Sequence, residues 1–356
     1  MRPGRSALTR FVVLLSLLPS ADAAHAQSAP PASAIRMRVR LDAEHRDLVM
    51  EIGPLDLPAQ SGHRQLPAFH GVVPMDGWMH GYRVEMIDGE GEAVPRSTIH
   101  HVNVIAPGQR ELFSQIMLRV AAVGQETAPV VLPRMMGYRV RRGQELIVTS
   151  MVHNPTDRAY HDVYLRVHFP YTPSSVVVRP VSVLPFYMDV MPPASLHSYD
   201  LPPGRSRRSW EGRPAVAGRI LAVGGHVHQY GTALRLEDVT AKTVIWQGRP
   251  VVDREGRVVS MPFARFLWTL GVPVRPDHVY RVTAEYDNTS GETIPGGAMG
   301  ALGGVFVPDD PARWPSVDPN SPELKLDWRL VHTGNQGGHG HDHGHMHMPP
   351  ATSGTH

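Results

Sequence analysis

Apolar and polar positions alternate with a period of two over much of this chain. The stretches IRMRVRL (35–41), DLVMEI (47–52), WMHGYRVEMID (78–88), HHVNVI (100–105), ELIVTSMVH (145–153) and VYLRVHF (163–169) alternate or run apolar, as strands do. A second set follows: RILAVGGHVH (219–228), ALRLEDV (233–239), TVIWQGR (243–249), VYRVTAEYDN (279–288) and LDWRLVH (326–332). Turn signals such as DGEGE, NPTD, DREG and NTSG separate them. Only GQRELFSQIMLRVAAVGQE (108–126) has the spacing of a helix. Many short strands at fairly even spacing predict an all-β chain of sandwich type. The Pro-rich stretch 180–214, which includes RSRR at 205–208 as a solvated linker, reads as a join between two such units. The pattern shows no convincing internal repeat.

The ends differ from this body. Arg2, Arg5 and Arg10 precede an apolar run from Phe11 to Leu18 and a small-x-small site at Ala24-His25-Ala26. Residues 1–26 therefore read as a secretory signal peptide, too short in its apolar part to span a bilayer, and 27–34 as a disordered leader. The expected location is periplasmic or secreted, with no membrane span in the mature chain. That segment carries a net +2, so the formal +2 of the whole falls to about zero without it, and nothing points to nucleic acid. Residues 35–178 and 179–333 are the expected N-terminal and C-terminal units. Residues 334–356, GNQGGHGHDHGHMHMPPATSGTH, are a disordered polar tail.

The chain has no cysteine, which excludes disulfides and thiolate metal sites, while 21 His and 16 Met supply imidazole and thioether. His226 and His228 stand two apart on a strand and so share a face. They are either a pair of metal ligands or two polar residues on an edge strand. His100 and His101 are adjacent, and both reach one ion only at a strand end or a bulge. His153 ends its strand just before NPTD, and Met299 lies in the glycine-rich TIPGGAMGALGG. Met299 by itself reads as a core methionine in a flexible loop. His161 and His168 are the substitutes for His153 should that assignment fail. In the tail, His339, His341, His343, His345 and His347 alternate with other residues. They form an auxiliary metal-capturing tract or a stretch of biased composition.

The order HH…H…HxH…M resembles the ascorbate-dependent type II copper monooxygenases, the family of peptidylglycine α-hydroxylating monooxygenase and dopamine β-monooxygenase. PRSTIHHVNVI, LIVTSMVHN, GHVHQYGTALRLED and AEYDNTSGETIPGGAMG carry the likeness, which spans roughly residues 36–332. It implies two tandem β-sandwich, jelly-roll-like domains facing across a cleft, with two copper ions per chain. His100, His101 and His153 would hold an electron-transfer copper, and His226, His228 and Met299 an oxygen-binding copper. Ascorbate or another reductant would reduce both ions, and a C–H bond of a small substrate would be hydroxylated with O2. Other family positions differ: Gly224 stands where the peptide-hydroxylating members carry a substrate arginine, Ala301 where they carry asparagine, and Met151 where they carry glutamine. The peptide clamp is absent. Either the substrate is another small molecule, or the scaffold is a non-catalytic copper carrier that exchanges metal with a donor or acceptor protein.

Overall fold

Alternating strands with one apolar face must bury it against a second sheet, and the chain does this twice. The structure is a computed structural model that describes residues 35–254 and 256–333. The segments expected to be a signal peptide (1–26) and a leader (27–34), and the histidine-rich tail (334–356), lie outside the described residues. Among those described, strands dominate and Pro322–Thr333 is the only α-helix, so the all-β expectation holds. No helix among them is long and apolar enough to cross a membrane.

In the first half, an eight-stranded sheet faces a five-stranded one. Between them lies a core that includes Leu48, Met50, Ile52, Val102, Val104, Val148 and Phe169, all essentially inaccessible. The second half repeats the plan with a five-stranded and a four-stranded sheet around Phe186, Val223, Leu234, Tyr280, Val282 and Phe306. Contacts join the described residues into one compact unit.

The two halves share more than composition. In the first, the strands run in the order Ser61–Gln65, Glu145–Asn154, Ile99–Arg110, Met117–Gly124. In the second, Gly204–Gly212, Tyr280–Asn288, Gly231–Asp238 and Thr243–Gly248 follow the same order. An asparagine locks the same corner in each. Buried Asn154 donates from Nδ2 to the carbonyls of Leu57, Pro58 and Arg158, while its Oδ1 accepts from Thr156 N and Oγ1. Asn288 donates to Leu201, Pro202 and Glu292, and accepts from Ser290 N and Oγ. The sequence reading of no internal repeat is therefore corrected. The repeat lies in strand order and in Leu-Pro and Asn corners, with little shared sequence between them.

Three element assignments also change. Residues 108–126 form no helix; the strand Ile99–Arg110 turns back through 111–116 into Met117–Gly124. Both faces of the second strand are buried, which blurs a period of two into an apparent helical one. The turn itself inserts Leu112 and Phe113 into the core of the second half, where Phe113 meets the rings of Phe186 and Tyr280 at 5.9 and 5.6 Å. RSRR is no linker but part of the strand Gly204–Gly212, which pairs with Tyr280–Asn288. Residues 326–332 are the last turns of the helix rather than a strand. Ser321, whose Oγ accepts from Leu324 N at 3.4 Å, followed by Pro322 and Glu323, is the start signal that outweighs the alternation.

Buried charges tie the halves together. Arg119 and Asp327 form an ion pair at 2.5 Å with 6% and 3% of their side chains exposed. Asp327 also accepts from Met117 N at 2.9 Å. Burial works against the charge on Arg119, but Asp327 outweighs it and holds the guanidinium above its ordinary value. Glu111, fully buried, accepts from Arg119 N at 2.7 Å and from Tyr187 N at 3.0 Å. Burial pushes its carboxyl up to about 7, against the pull of those N–H donors. These polar contacts fix the first half's strand Met117–Gly124 against the second half, and that strand leads directly into the turn that holds Glu126.

Candidate metal centre

The strand Ile99–Arg110 begins with the two adjacent histidines, whose side chains would point to opposite faces of a regular strand. Here the register breaks. Met151 lies opposite His101 while Val152 lies opposite Ile99, so His100 is an extra residue in a bulge. The kink brings both rings to one side, with centroids 4.1 Å apart. The neighbouring strand Ser61–Gln65 has a break of its own between Val152 and Asn154, which lets His63 meet His153. Their rings stack at 4.7 Å, and His63 lies 4.2 Å from His100.

From the second half, the strand Gly218–Val227 delivers His226 and the following turn delivers His228. The His101 and His226 rings meet edge to face at 5.2 Å, with their Nε2 atoms 3.5 Å apart. His228 stacks near His101 at 5.9 Å and lies 6.0 Å from His100. Six imidazoles from four strands and a turn thus form one continuous array. Within His63, His100 and His153, and again within His100, His101 and His228, one nitrogen from each ring lies within 4.8 Å of the others.

The environment favours the neutral form of four of these rings, His100, His101, His153 and His228. Burial drives His100 down to about 2 and His228 down to about 3, helped by the neighbouring imidazoles. It lowers His101 and His153 as well. A hydrogen bond to the Ser97 backbone opposes the shift at His153, and one to Gly297 opposes it at His228. In both residues Nε2 is then buried without any hydrogen-bond partner. His226 Nδ1 is 2.6 Å from Glu126 Oε1, a carboxylate only 4% exposed. Burial alone would raise Glu126, but His226 outweighs it and holds the carboxyl below its usual range. One nitrogen anchored to an oxygen and the other left bare is how metal-binding histidines are oriented.

Met299 lies between the strands Ile294–Ala298 and Gly300–Pro308, at the cross-strand position of His228. His228 N donates to its carbonyl at 3.4 Å. The buried Tyr286 hydroxyl pins the same place, donating to Met299 O and accepting from Met299 N and His228 N at 3.0 and 3.2 Å. Gly224 is buried beneath Phe263; a Cβ there would come within 2.7 Å of that ring. Any larger side chain would have to displace the phenyl group.

All five histidines singled out in the sequence come together with Met299's backbone beside them. His161 and His168 do not join them. His161 pairs with Asp56 at the surface, and His168 is committed to Asp47, Glu85 and Arg83 in the other sheet. Two residues escaped the sequence reading. His63 stands alone in SGHRQ with no ligand-like spacing, and Glu126 lies in an ordinary turn, GQET. Neither carries a local signal, because a bulge and a contact between halves bring them in.

No protein-family model matches the chain, and no curated protein matches it. Among solved structures, an alignment with the mavirus major capsid protein covers 85% of this chain and 93% of that one, at 9% identity and a TM-score of 0.19. A likeness that slight bears on neither fold detail nor function.

Proposed function

We propose that the imidazole array holds two copper ions and that the protein is an exported, copper-dependent monooxygenase acting on a small molecule with O2 and a reductant such as ascorbate. The observation that carries this reading is the pair of buried, unpartnered Nε2 atoms on His153 and His228 within a six-histidine array. Leaving such atoms bare costs about 1–3 kcal/mol each unless each is bound to an ion. His63, His100 and His153 would hold one ion, with His63 in the place that the sequence reading gave to His101. His101, His226 and His228 would hold the other, with Met299 beside them. Neutral imidazoles suit both oxidation states of copper, and a thioether favours the reduced one. Bound copper would supply electron transfer and O2 activation. The chain's own part is to keep His100, His101, His153 and His228 deprotonated by burial, to fix ring orientation through Ser97, Gly297 and Glu126, and to support His228 and Met299 on Tyr286. The rings of His100 and His101, one from each ligand set, are 4.1 Å apart, which suits passage of electrons between the two ions.

The test uses the full chain with the tail residues His339, His341, His343, His345 and His347 changed to serine, so that they do not add copper of their own. The expected content is two coppers per chain with distinct Cu(II) spectra, falling to one in His153→Ala or His228→Ala. Reductant-dependent O2 consumption that rises with a candidate substrate supports the enzyme. Two tightly held coppers that transfer to an acceptor protein, with no O2 consumption, identify a copper carrier instead. An absence of copper overturns both.

A further inference from the structure

A second histidine pair stands apart from this array. His70 lies on the strand Phe69–Val72, opposite Ile147 of the strand Glu145–Asn154. His153 is six residues further along that strand, about 20 Å away at 3.3 Å per residue. His332 lies in the last turn of the helix Pro322–Thr333, which the buried Asp327–Arg119 pair docks onto the first half. The two Nε2 atoms face each other at 3.0 Å.

The remaining nitrogens decide what this contact means. His70 Nδ1 is 2.6 Å from Glu145 Oε1, and His332 Nδ1 is 2.7 Å from the Trp328 carbonyl. Both acceptors are oxygens, so each Nδ1 carries its hydrogen. The neutral rings then present two lone pairs head to head, an arrangement that needs a cation between them. A shared proton would serve. A metal ion fits the geometry as well and uses the outward bonds too: with metal–nitrogen bonds of about 2.0–2.1 Å and angles of about 90–110°, two ligating nitrogens stand about 2.9–3.4 Å apart. An N–H directed from the far side of the ring to a carboxylate or a carbonyl is the usual support of a ligating histidine. The pair is open to solvent, with His70 41% and Glu145 46% exposed.

We infer that His70 and His332 form a two-imidazole site for a divalent first-row ion such as Cu(II), Ni(II) or Zn(II), with Glu145 orienting His70. Solvent fills the other coordination positions. The ion would bridge the C-terminal helix to the sheet, fastening by its last turn an element whose middle is already held by Asp327. The indole of Trp328, stacked on His332 at 4.2 Å and 29°, reports on the site.

Cu(II) alone is the probe, added to the full chain carrying the five tail serines. The parent should bind one more equivalent than either His70→Ala or His332→Ala. Its fluorescence quenching, compared with that of Trp328→Phe, should disappear in both histidine variants. Glu145→Gln should weaken the added equivalent by about tenfold or more. Because both histidines are on the surface, unchanged melting of the metal-free variants confirms that they fold. Equal copper content in the parent and in both folded variants overturns the site and leaves a proton shared between the rings.

Discussion

Glu126→Gln keeps the shape of the side chain and its acceptor oxygen but removes the charge that faces His226. The carboxylate is 2.6 Å from Nδ1 and 4% exposed, so this is a charge-assisted bond in a nearly dry place. Such bonds contribute about 1.5–3 kcal/mol. Loss of the supporting partner of a ligating histidine weakens metal binding by about 10–100-fold, which corresponds to about 1.4–2.8 kcal/mol. The two routes agree. Copper affinity of the ion held by His101, His226 and His228 should therefore fall by one to two orders of magnitude, while the ion at His63, His100 and His153 is unaffected. Competition with a chromophoric Cu(I) chelator measures this in the full chain with the tail histidines replaced. The metal-free variant should melt within a few degrees of the parent, since the glutamine oxygen still accepts from Nδ1–H. An affinity within twofold of the parent would refute the assignment of Glu126 to ligand orientation. Equal weakening at both ions would show a general loss of fold in its place.

The metal-free protein should lose stability steeply as pH falls. His100, His101, His153 and His228 all have folded values below the usual 6.5, so below that pH the unfolded chain takes up protons that the folded chain refuses. Each contributes a loss of at most about 1.4 kcal/mol per pH unit, starting near 6.5 and continuing toward the folded values. Thermal melts at pH 7.5 and 5.5 check this; equal midpoints would show that the array is not held neutral by burial. Asp327→Ala should destabilise the protein by about 3–5 kcal/mol, because it leaves Arg119 charged and buried without a partner. Urea unfolding gives the value, and a loss under 1 kcal/mol would mean that water reaches Arg119.

The strands were legible because most have one apolar face and one polar face, and a period of two records that directly. Pattern failed where that condition failed. Met117–Gly124 is buried on both faces and looks helical, while the helix Pro322–Thr333 alternates by chance and declares itself only through Ser321-Pro322-Glu323. The clustered histidines were legible for a different reason: HxH and HH are short local patterns whose chemistry survives without knowledge of the fold. His63 and Glu126 were not, since one reaches the array through a register break and the other through a contact between halves. The repeated corner was invisible as well. Asn154 and Asn288 do the same work with different neighbours, and only the bonds they make reveal it.

That repeated corner has a consequence for the array. If the halves are superposed by strand order, His63, His100, His101 and His153 fall on the sheet that corresponds to Gly204–Gly212, Tyr280–Asn288 and Gly231–Asp238. His226, His228 and Met299 belong instead to the opposite layer, with Gly218–Val227 and Gly300–Pro308. The residues that the two halves contribute to the array are therefore not images of each other under the shared strand order. One half offers its front and the other its back, as in a head-to-tail assembly. If the array holds two ions as proposed, no internal twofold axis obliges their positions to be alike, and each can be tuned for a different task by changes that have no counterpart across the junction.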